Sequence, residues 1–426
     1  EDWISGCGSK QKVDWEVATA NSVMVRQRLS VNQTVIEFIR TPDREEELGS
    51  LNAAGRYYAF VVHQGCFIEC FDLGWARVID RAIDSLRVHI LESISNINSE
   101  KQWQRKARFL SHKIFDPLPD NLFDISPHLI IVPDGKLWEL PFDILPACQE
   151  QVFDCSMLSL SIFGNSITRL DSTRRPADEP IVIGGIDFCS VEVKSEAQLA
   201  DELLGGLPTF SALEDSMLEV KTISKELNVE PIVNREPNKR RLLAMGTPEI
   251  LHLATHGFYI EAPNTKVEAL SPMVRCGLAI ARGEQKNGEA PEDGVLWGFE
   301  IEQLDLRSTD IVFLAACRTA VGSISFGDGS QSLLRAFLYA GAHTVISSLW
   351  DVPSKETQLF AVDFYRSLLA GENKLQAFWK AKKNARSRHP HSPTHWAGFV
   401  LTGDSGPLFR FRSGAKLRVL CKNGNQ

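Results

Sequence analysis

The chain has 426 residues, too many for one ordinary hydrophobic core, so two domains are expected. Its 43% hydrophobic and 23% charged residues are ordinary for a soluble globular protein, and a formal net charge of −8 argues against a nucleic-acid partner. No apolar run is long enough to span a bilayer as a helix.

The N-terminus, "EDWISGCGSKQKVDWE", has neither the positive flank nor the apolar centre of a signal peptide. It also lacks an initiator Met and reads as the start of a fragment. The nine cysteines (7, 66, 70, 148, 155, 189, 276, 317, 421) are odd in number and scattered, without a CxxC pair. A disulfide framework or a zinc site needs tighter, repeated spacing. The expectation is a reducing compartment, the cytoplasm, with no metal and no cofactor.

In chain order, "RYYAFVVHQ" (56–64) and "HLIIVPDG" (128–135) are the first apolar runs, and both read as buried strands. "TRLDSTRRPADEP" (168–180) is polar, charged and proline-containing, and it leads into the next strand, "EPIVIGGIDF" (179–188). A junction is therefore placed near residue 176, giving an N-terminal lobe (1–175), a second domain (176–412) and a tail (413–426). The second domain opens with an amphipathic stretch, "ALEDSMLEVKTISKEL" (212–227), and a strand, "EILHLATHG" (249–257). A polar surface loop, "ARGEQKNGEAPEDG" (281–294), follows, then a strand, "DIVFLAACRT" (310–319), and a helix, "QSLLRAFLYAGA" (331–342). Last come the strand "HTVISSLWDV" (343–352) and the helix "SKETQLFAVDFYRSLLAG" (354–371). Phe360, Phe364 and Leu368 recur there every fourth position, and Gly371 supplies the stop. Alternation of strand and helix predicts an α/β protein, with a mostly parallel sheet covered on both faces.

In "EILHLATHGFYIE" (249–261), His252 and His256 lie four positions apart. A zinc-peptidase helix needs a glutamate directly after the first histidine. Here Leu253 occupies that place, and Gly257 would weaken a helix. A short buried strand fits better, with His252 inside the sheet and His256 at its carboxyl edge, where reactive groups of open α/β sheets collect. In the next strand Cys317 follows four large apolar residues and two alanines, and Gly/Ser-rich chain comes after it. The thiol is either a buried core group or a nucleophile that takes its partner from the neighbouring strand end.

"LHLATHGFY", "DIVFLAACRTAVG" and "GDGSQSLLRAFLYAGAHTVISSLWDV" resemble the CHAT domain, a caspase-like, separase-related cysteine peptidase domain often found with TPR repeats. "LIIVPDGKLWELPFDIL", "DGVLWGFEIEQLDLRSTD" and "THWAGFVLTGD" extend the resemblance in the family's order, from about residue 50 to 411. One departure is Ala315, where the family more often has Ser two residues before the cysteine. The resemblance implies a caspase-like, mostly parallel sheet with helices on both faces, preceded by a non-catalytic, pseudo-protease-like lobe. It implies a cysteine endopeptidase acting on protein substrates through His256 and Cys317, controlled by a regulatory protein partner or adjoining TPR repeats. The alternative is a catalytically dormant interaction scaffold.

The chemistry of such a dyad needs oxyanion donors, for which the backbone N–H groups of Gly257 and Cys317 are the candidates. In "VISSLWDV", Ser348, Trp350 and Asp351 are candidates for the substrate groove, with Asp351 facing a basic side chain. Against this stand core packing for Trp350 and a turn for Asp351. Asp293, Glu300 and Asp328 are equally arguable acids. "KRR" (239–241) reads as a solvated helix face, His343 as a local hydrogen-bonding group, and proline spacing argues against a metal site at His389, His391 and His395. Gly184–Gly185 has no GxGxxG or P-loop around it.

Overall fold

Short runs made mostly of apolar or small residues become strands buried on both faces. His128–Val132, Ile311–Leu314 and Thr344–Ser348 are buried at every position, as parallel strands between two helical layers must be. The computed structural model describes residues 29–41, 55–64, 68–92, 99–147, 150–151, 157–161, 177–188, 210–213, 215–260, 271–283, 294–315 and 332–412. Cys317, residues 284–293 of the polar loop, the junction at 176 and the tail 413–426 lie outside the described residues.

The first half of the chain supplies β1 (Gln33–Arg40), β2 (Arg56–His63), β3 (Glu69–Trp75) and β4 (His128–Val132). A small hairpin of β5 (Pro146–Ala147) and β6 (Glu150–Gln151) then leads to β7 (Met157–Leu160). The second half supplies β8 (Ile181–Ile186), β9 (Ile232–Asn234), β10 (Ile250–Leu253), β14 (Ile311–Leu314), β15 (Thr344–Ser348) and β16 (Phe399–Gly403). Together they form one eleven-stranded sheet in the order β3-β2-β1-β4-β7-β16-β15-β14-β10-β8-β9. Only the β1/β2, β2/β3 and β15/β16 pairs are antiparallel, so the sheet is mixed but mostly parallel. Strand β16 joins the halves, with Thr402 opposite Val345 on one side and Leu160 on the other.

Six longer helices cover this sheet: α1 (Ala76–Glu92), α2 (Ser99–Ile114), α3 (Ser216–Leu227), α4 (Ser332–Tyr339), α5 (Ser354–Leu369) and α6 (Lys374–Arg388). Side chains alternate between two cores, as the pleat demands. Ile250, Ile311, Phe313 and Ile346 pack with α3, α5 and α6, while Leu251, Leu253, Val312, Leu314 and Val345 pack with α4. In α5, Phe360, Phe364 and Leu368 are all fully buried, and the helix stops at Gly371, whose φ of +100° suits the residue after a helix C-cap. Helix α6 starts on a capping box, in which Asn373 Oδ1 accepts from the Gln376 N–H at 2.8 Å and Gln376 Oε1 accepts from the Asn373 N–H at 3.3 Å.

The segment 249–257 is divided by the structure. Strand β10 ends at Leu253, and the chain then leaves the main sheet. The Thr255 hydroxyl donates to the Ala279 carbonyl at 2.5 Å, and the chain enters β11 (Gly257–Tyr259). With β12 (Cys276–Ala279) and β13 (Val295–Trp297), β11 forms a separate antiparallel sheet. No helix among the described residues is long and apolar enough to cross a membrane.

Candidate active site

Strands β10 and β14 are parallel neighbours, paired from Ile250↔Ile311 to Leu253↔Leu314. Their carboxyl ends therefore reach the same edge of the sheet, one leading to His256 and the other to Ala315, the last described residue before Cys317. The Ala315 N–H still donates to the Leu253 carbonyl at 2.9 Å, so the two chains travel together past the last paired residues.

The two histidines of β10 and its exit have separate environments, which answers the spacing question in favour of a strand. His252 is fully buried and stacks on Phe313, with ring centroids 5.1 Å apart. Its Nδ1 lies 3.2 Å from the Tyr365 hydroxyl, and its Nε2 lies 3.3 Å from Glu219 Oε1. Burial, and next the charge of Glu219, push the Tyr365 phenol well above its ordinary range, so Tyr365 keeps its proton. With the phenol beside Nδ1, Nε2 is the ring nitrogen that faces Glu219.

His256 is half-buried just beyond the strand. Its Nε2 lies 2.8 Å from the Ser211 carbonyl oxygen, which can only accept, so Nε2 carries the proton. In the neutral ring this leaves Nδ1 with a lone pair. Phe188 and Phe210 both pack against the ring, with centroids at 5.3 and 5.5 Å. Phe258 leans on Phe210 and on Trp297, which ties this aromatic group to the three-stranded sheet.

Gly257 follows directly. The Ala279 N–H donates to the His256 carbonyl at 2.8 Å, so Gly257 and Leu278 form a non-hydrogen-bonded pair of the β11/β12 ladder. The Gly257 N–H therefore turns away from β12, toward the open edge of that sheet.

Beside the strand ends lies a small solvent-connected cleft, lined among the described residues by Glu219 of α3, Ala254, Leu314, Ala315, Ser348 and Phe399. Ser348 is one of these lining residues. Trp350 is not: it is 2% exposed, its indole N–H donates to the Thr394 carbonyl at 2.8 Å, and its ring packs against Gly398. Trp350 is core packing, not a groove wall. Asp351 is exposed in the turn between β15 and α5. Glu300 Oε2 accepts from the Trp297 N–H at 2.9 Å and its other oxygen pairs with Lys239 at 2.9 Å; Asp293 and Asp328 lie outside the described residues. His343 makes a local bond to the Arg307 carbonyl at 3.1 Å, and the His389 and His395 rings stack beside Glu356.

Glu219 was not singled out from sequence. The available signal is an acid on the buried face of α3, which is made of Ser216, Glu219, Val220, Ile223 and Ser224. Gly184 explains how that face comes so close: a Cβ there would lie 2.5 Å from Val220 Cγ1 and 2.9 Å from the Ala254 Cβ. The glycine permits α3 to seat directly on β8 and β10, and this brings Glu219 to His252.

A mostly parallel sheet wrapped by helices, with an imidazole held at its carboxyl edge, is a caspase-like fold. The chain belongs to the CHAT domain family, whose model matches residues 104–404. It is 28% identical over 303 residues to mouse tetratricopeptide repeat protein 28 and 27% identical over 306 residues to the human protein. Those alignments cover 66% of this chain but only 12% of each relative, so the chain spans about an eighth of their length. Among solved structures, the separase–securin complex of Saccharomyces cerevisiae aligns with a TM-score of 0.50 and 11% identity, over 89% of this chain and 30% of that one. That likeness is one of fold.

Proposed function

We propose that the chain is a cysteine endopeptidase in which His256 and Cys317 form the dyad. The observation that carries this reading is the β10/β14 register. Parallel pairing from Ile250↔Ile311 to Leu253↔Leu314 brings the two strands to one sheet edge, three residues before His256 in one and three residues before Cys317 in the other. Phe313 and Ala315, two residues apart, both meet the α3/α5 core.

In this reading the Cys317 thiolate attacks a substrate carbonyl, and the Gly257 and Cys317 amides receive the oxyanion. The hydrogen bond to Ser211 fixes the His256 ring, leaving Nδ1 to exchange protons with the sulfur and the leaving amine. Ser348 and Asp351 border the substrate groove. The catalytic unit is residues 176–412, and 1–175 form the pseudo-protease-like lobe. The repeat-containing relatives support control by a protein partner or by adjoining TPR repeats. They equally motivate a second reading, a dormant interaction module in a reducing compartment.

Selective alkylation separates the two. An assembled dyad makes Cys317 the fastest-reacting of the nine cysteines, and Cys317→Ala then abolishes peptide cleavage with the fold intact. Uniformly slow labelling with no cleavage leaves the interaction module.

A further inference from the structure

Helix α2 has two opposite faces. Trp103, Ala107, Leu110 and Ile114, spaced by four, three and four, are buried in the core of the first half. Each lies two residues, and so about 200° round the helix, after a member of a second row, Lys101, Arg105, Arg108 and His112. All four of that row are exposed. From Lys101 to Lys113 the helix carries five lysines and arginines and no acid. Phe109 is 40% exposed among them, with the Lys113 ammonium 5.9 Å from its ring centre.

A helix face that meets only water gains from acid–base pairs three or four residues apart, and like charges at those spacings destabilise it. Lys101 and Arg105 are four apart, and Arg105 and Arg108 three apart. The helix dipole favours cations in the last turn, which accounts for Lys113 but not for Lys101 in the first. The nearest acids in sequence are engaged with histidines: Glu100 lies 3.2 Å from His391 Nδ1, and Asp116 lies 2.7 Å from His112 Nδ1. Among the described residues no carboxylate pairs with Lys101, Arg105, Arg108 or Lys113. Helix α6 gives the contrast. It is as rich in cations, yet Lys374, Lys380, Lys382 and Arg388 each pair with a carboxylate.

We infer that the outer face of α2 docks an acidic segment of a partner protein. Its cations extend over about 18 Å, the length of about five extended residues or three helical turns. Phe109 supplies one apolar contact between them. The helix side that could enter a bilayer is the one already buried in the core. A nucleic-acid duplex or an anionic membrane would present an extended negative surface to the whole chain, whose net charge of −8 opposes the approach. A short acidic segment meets the cationic face alone. This docking face is independent of the peptidase reading.

Fluorescence anisotropy of a labelled peptide of glutamates with two leucines tests this, against the same peptide with glutamine for glutamate. The Cys317→Ala chain is used, so that cleavage cannot remove the probe. The glutamate peptide is expected to bind at least tenfold more tightly than the glutamine peptide. Arg105→Glu with Arg108→Glu is expected to weaken it at least tenfold. Lys221→Glu with Lys383→Glu makes the same change of charge on exposed lysines of α3 and α6, and is expected to change binding less than about twofold. Both arginines are exposed, so thermal unfolding of their variant is expected to match that of the parent chain. Equal binding of the two peptides, or equal losses in the two double variants, overturns the inference. Tighter binding of a DNA duplex or of phosphatidylserine vesicles than of the glutamate peptide, lost with Arg105 and Arg108, gives the face to another class of partner and overturns it too.

Discussion

His256 donates from Nε2 to the backbone carbonyl of Ser211 at 2.8 Å, across 45 residues of sequence. A main-chain acceptor has no charge to lose, so it fixes the tautomer and direction of the ring without a charged partner. The ring is also braced by contacts with Phe188 and Phe210. The imidazole therefore has a fixed orientation in the folded chain.

That bracing is open to a direct test. In Phe210→Ala the stacked ring 5.5 Å from His256 is lost, and the imidazole regains rotational freedom. Peptide cleavage is expected to fall roughly 10- to 100-fold, since small misplacements of a catalytic group are costly. Phe210 is only half-buried, so thermal unfolding is expected to shift little. Unchanged turnover in the folded variant would show that the aromatic clamp does not position His256.

A second expectation concerns the join between the halves of the chain. Lys382 of α6 forms a buried ion pair with Asp143, and its ammonium also donates to the Phe399 carbonyl at 2.7 Å. Burial pulls both partners toward neutrality, Lys382 downward and Asp143 upward. Lys382→Met strands the carboxylate, which is expected to cost about 3–5 kcal/mol in urea unfolding, and adding Asp143→Leu is expected to recover more than half. Equal stability of wild type and Lys382→Met would show that the pair contributes nothing.

Acid sensitivity has a specific source in the first half. His128 accepts at Nδ1 from the Gln33 amide at 3.1 Å and donates from Nε2 to the Ser159 hydroxyl at 2.9 Å. Burial lowers it from the ordinary 6.5 to about 4. The folded state thus binds fewer protons than the unfolded chain, so this contribution is complete above pH 6.5 and is lost as pH falls toward 4. Between pH 7.5 and 5 the unfolding free energy of wild type is expected to drop about 2 kcal/mol more than that of His128→Gln. His63, also lowered by burial, acts in the same direction in both proteins and cancels from the comparison. Parallel pH profiles for the two proteins would assign the acid sensitivity elsewhere.

The elements most legible in sequence are those whose pattern is local. Unbroken apolar runs identify β4, β14 and β15, and the fourfold recurrence of Phe360, Phe364 and Leu368 identifies α5. What local pattern hides is set by distant contacts. "EILHLATHG" reads as one strand, but the bond from Thr255 to the Ala279 carbonyl pulls the chain into a second sheet after Leu253. Trp350 reads equally well as a wall or as core until Thr394 and Gly398 close around it. Glu219 is invisible for the same reason, because its meaning depends on His252 and Tyr365, which only the assembled sheet brings beside it.

The pairing of His256 with Cys317 is tested most directly by the alkylation rate of Cys317. Peptide mapping after iodoacetamide treatment at pH 6.5 would compare wild type with His256→Ala. A thiol served by a neighbouring imidazole reacts at this pH well ahead of the exposed Cys70, and the variant is expected to lose at least tenfold of that rate with Cys70 unchanged. Equal Cys317 rates in the two folded proteins would contradict the pairing.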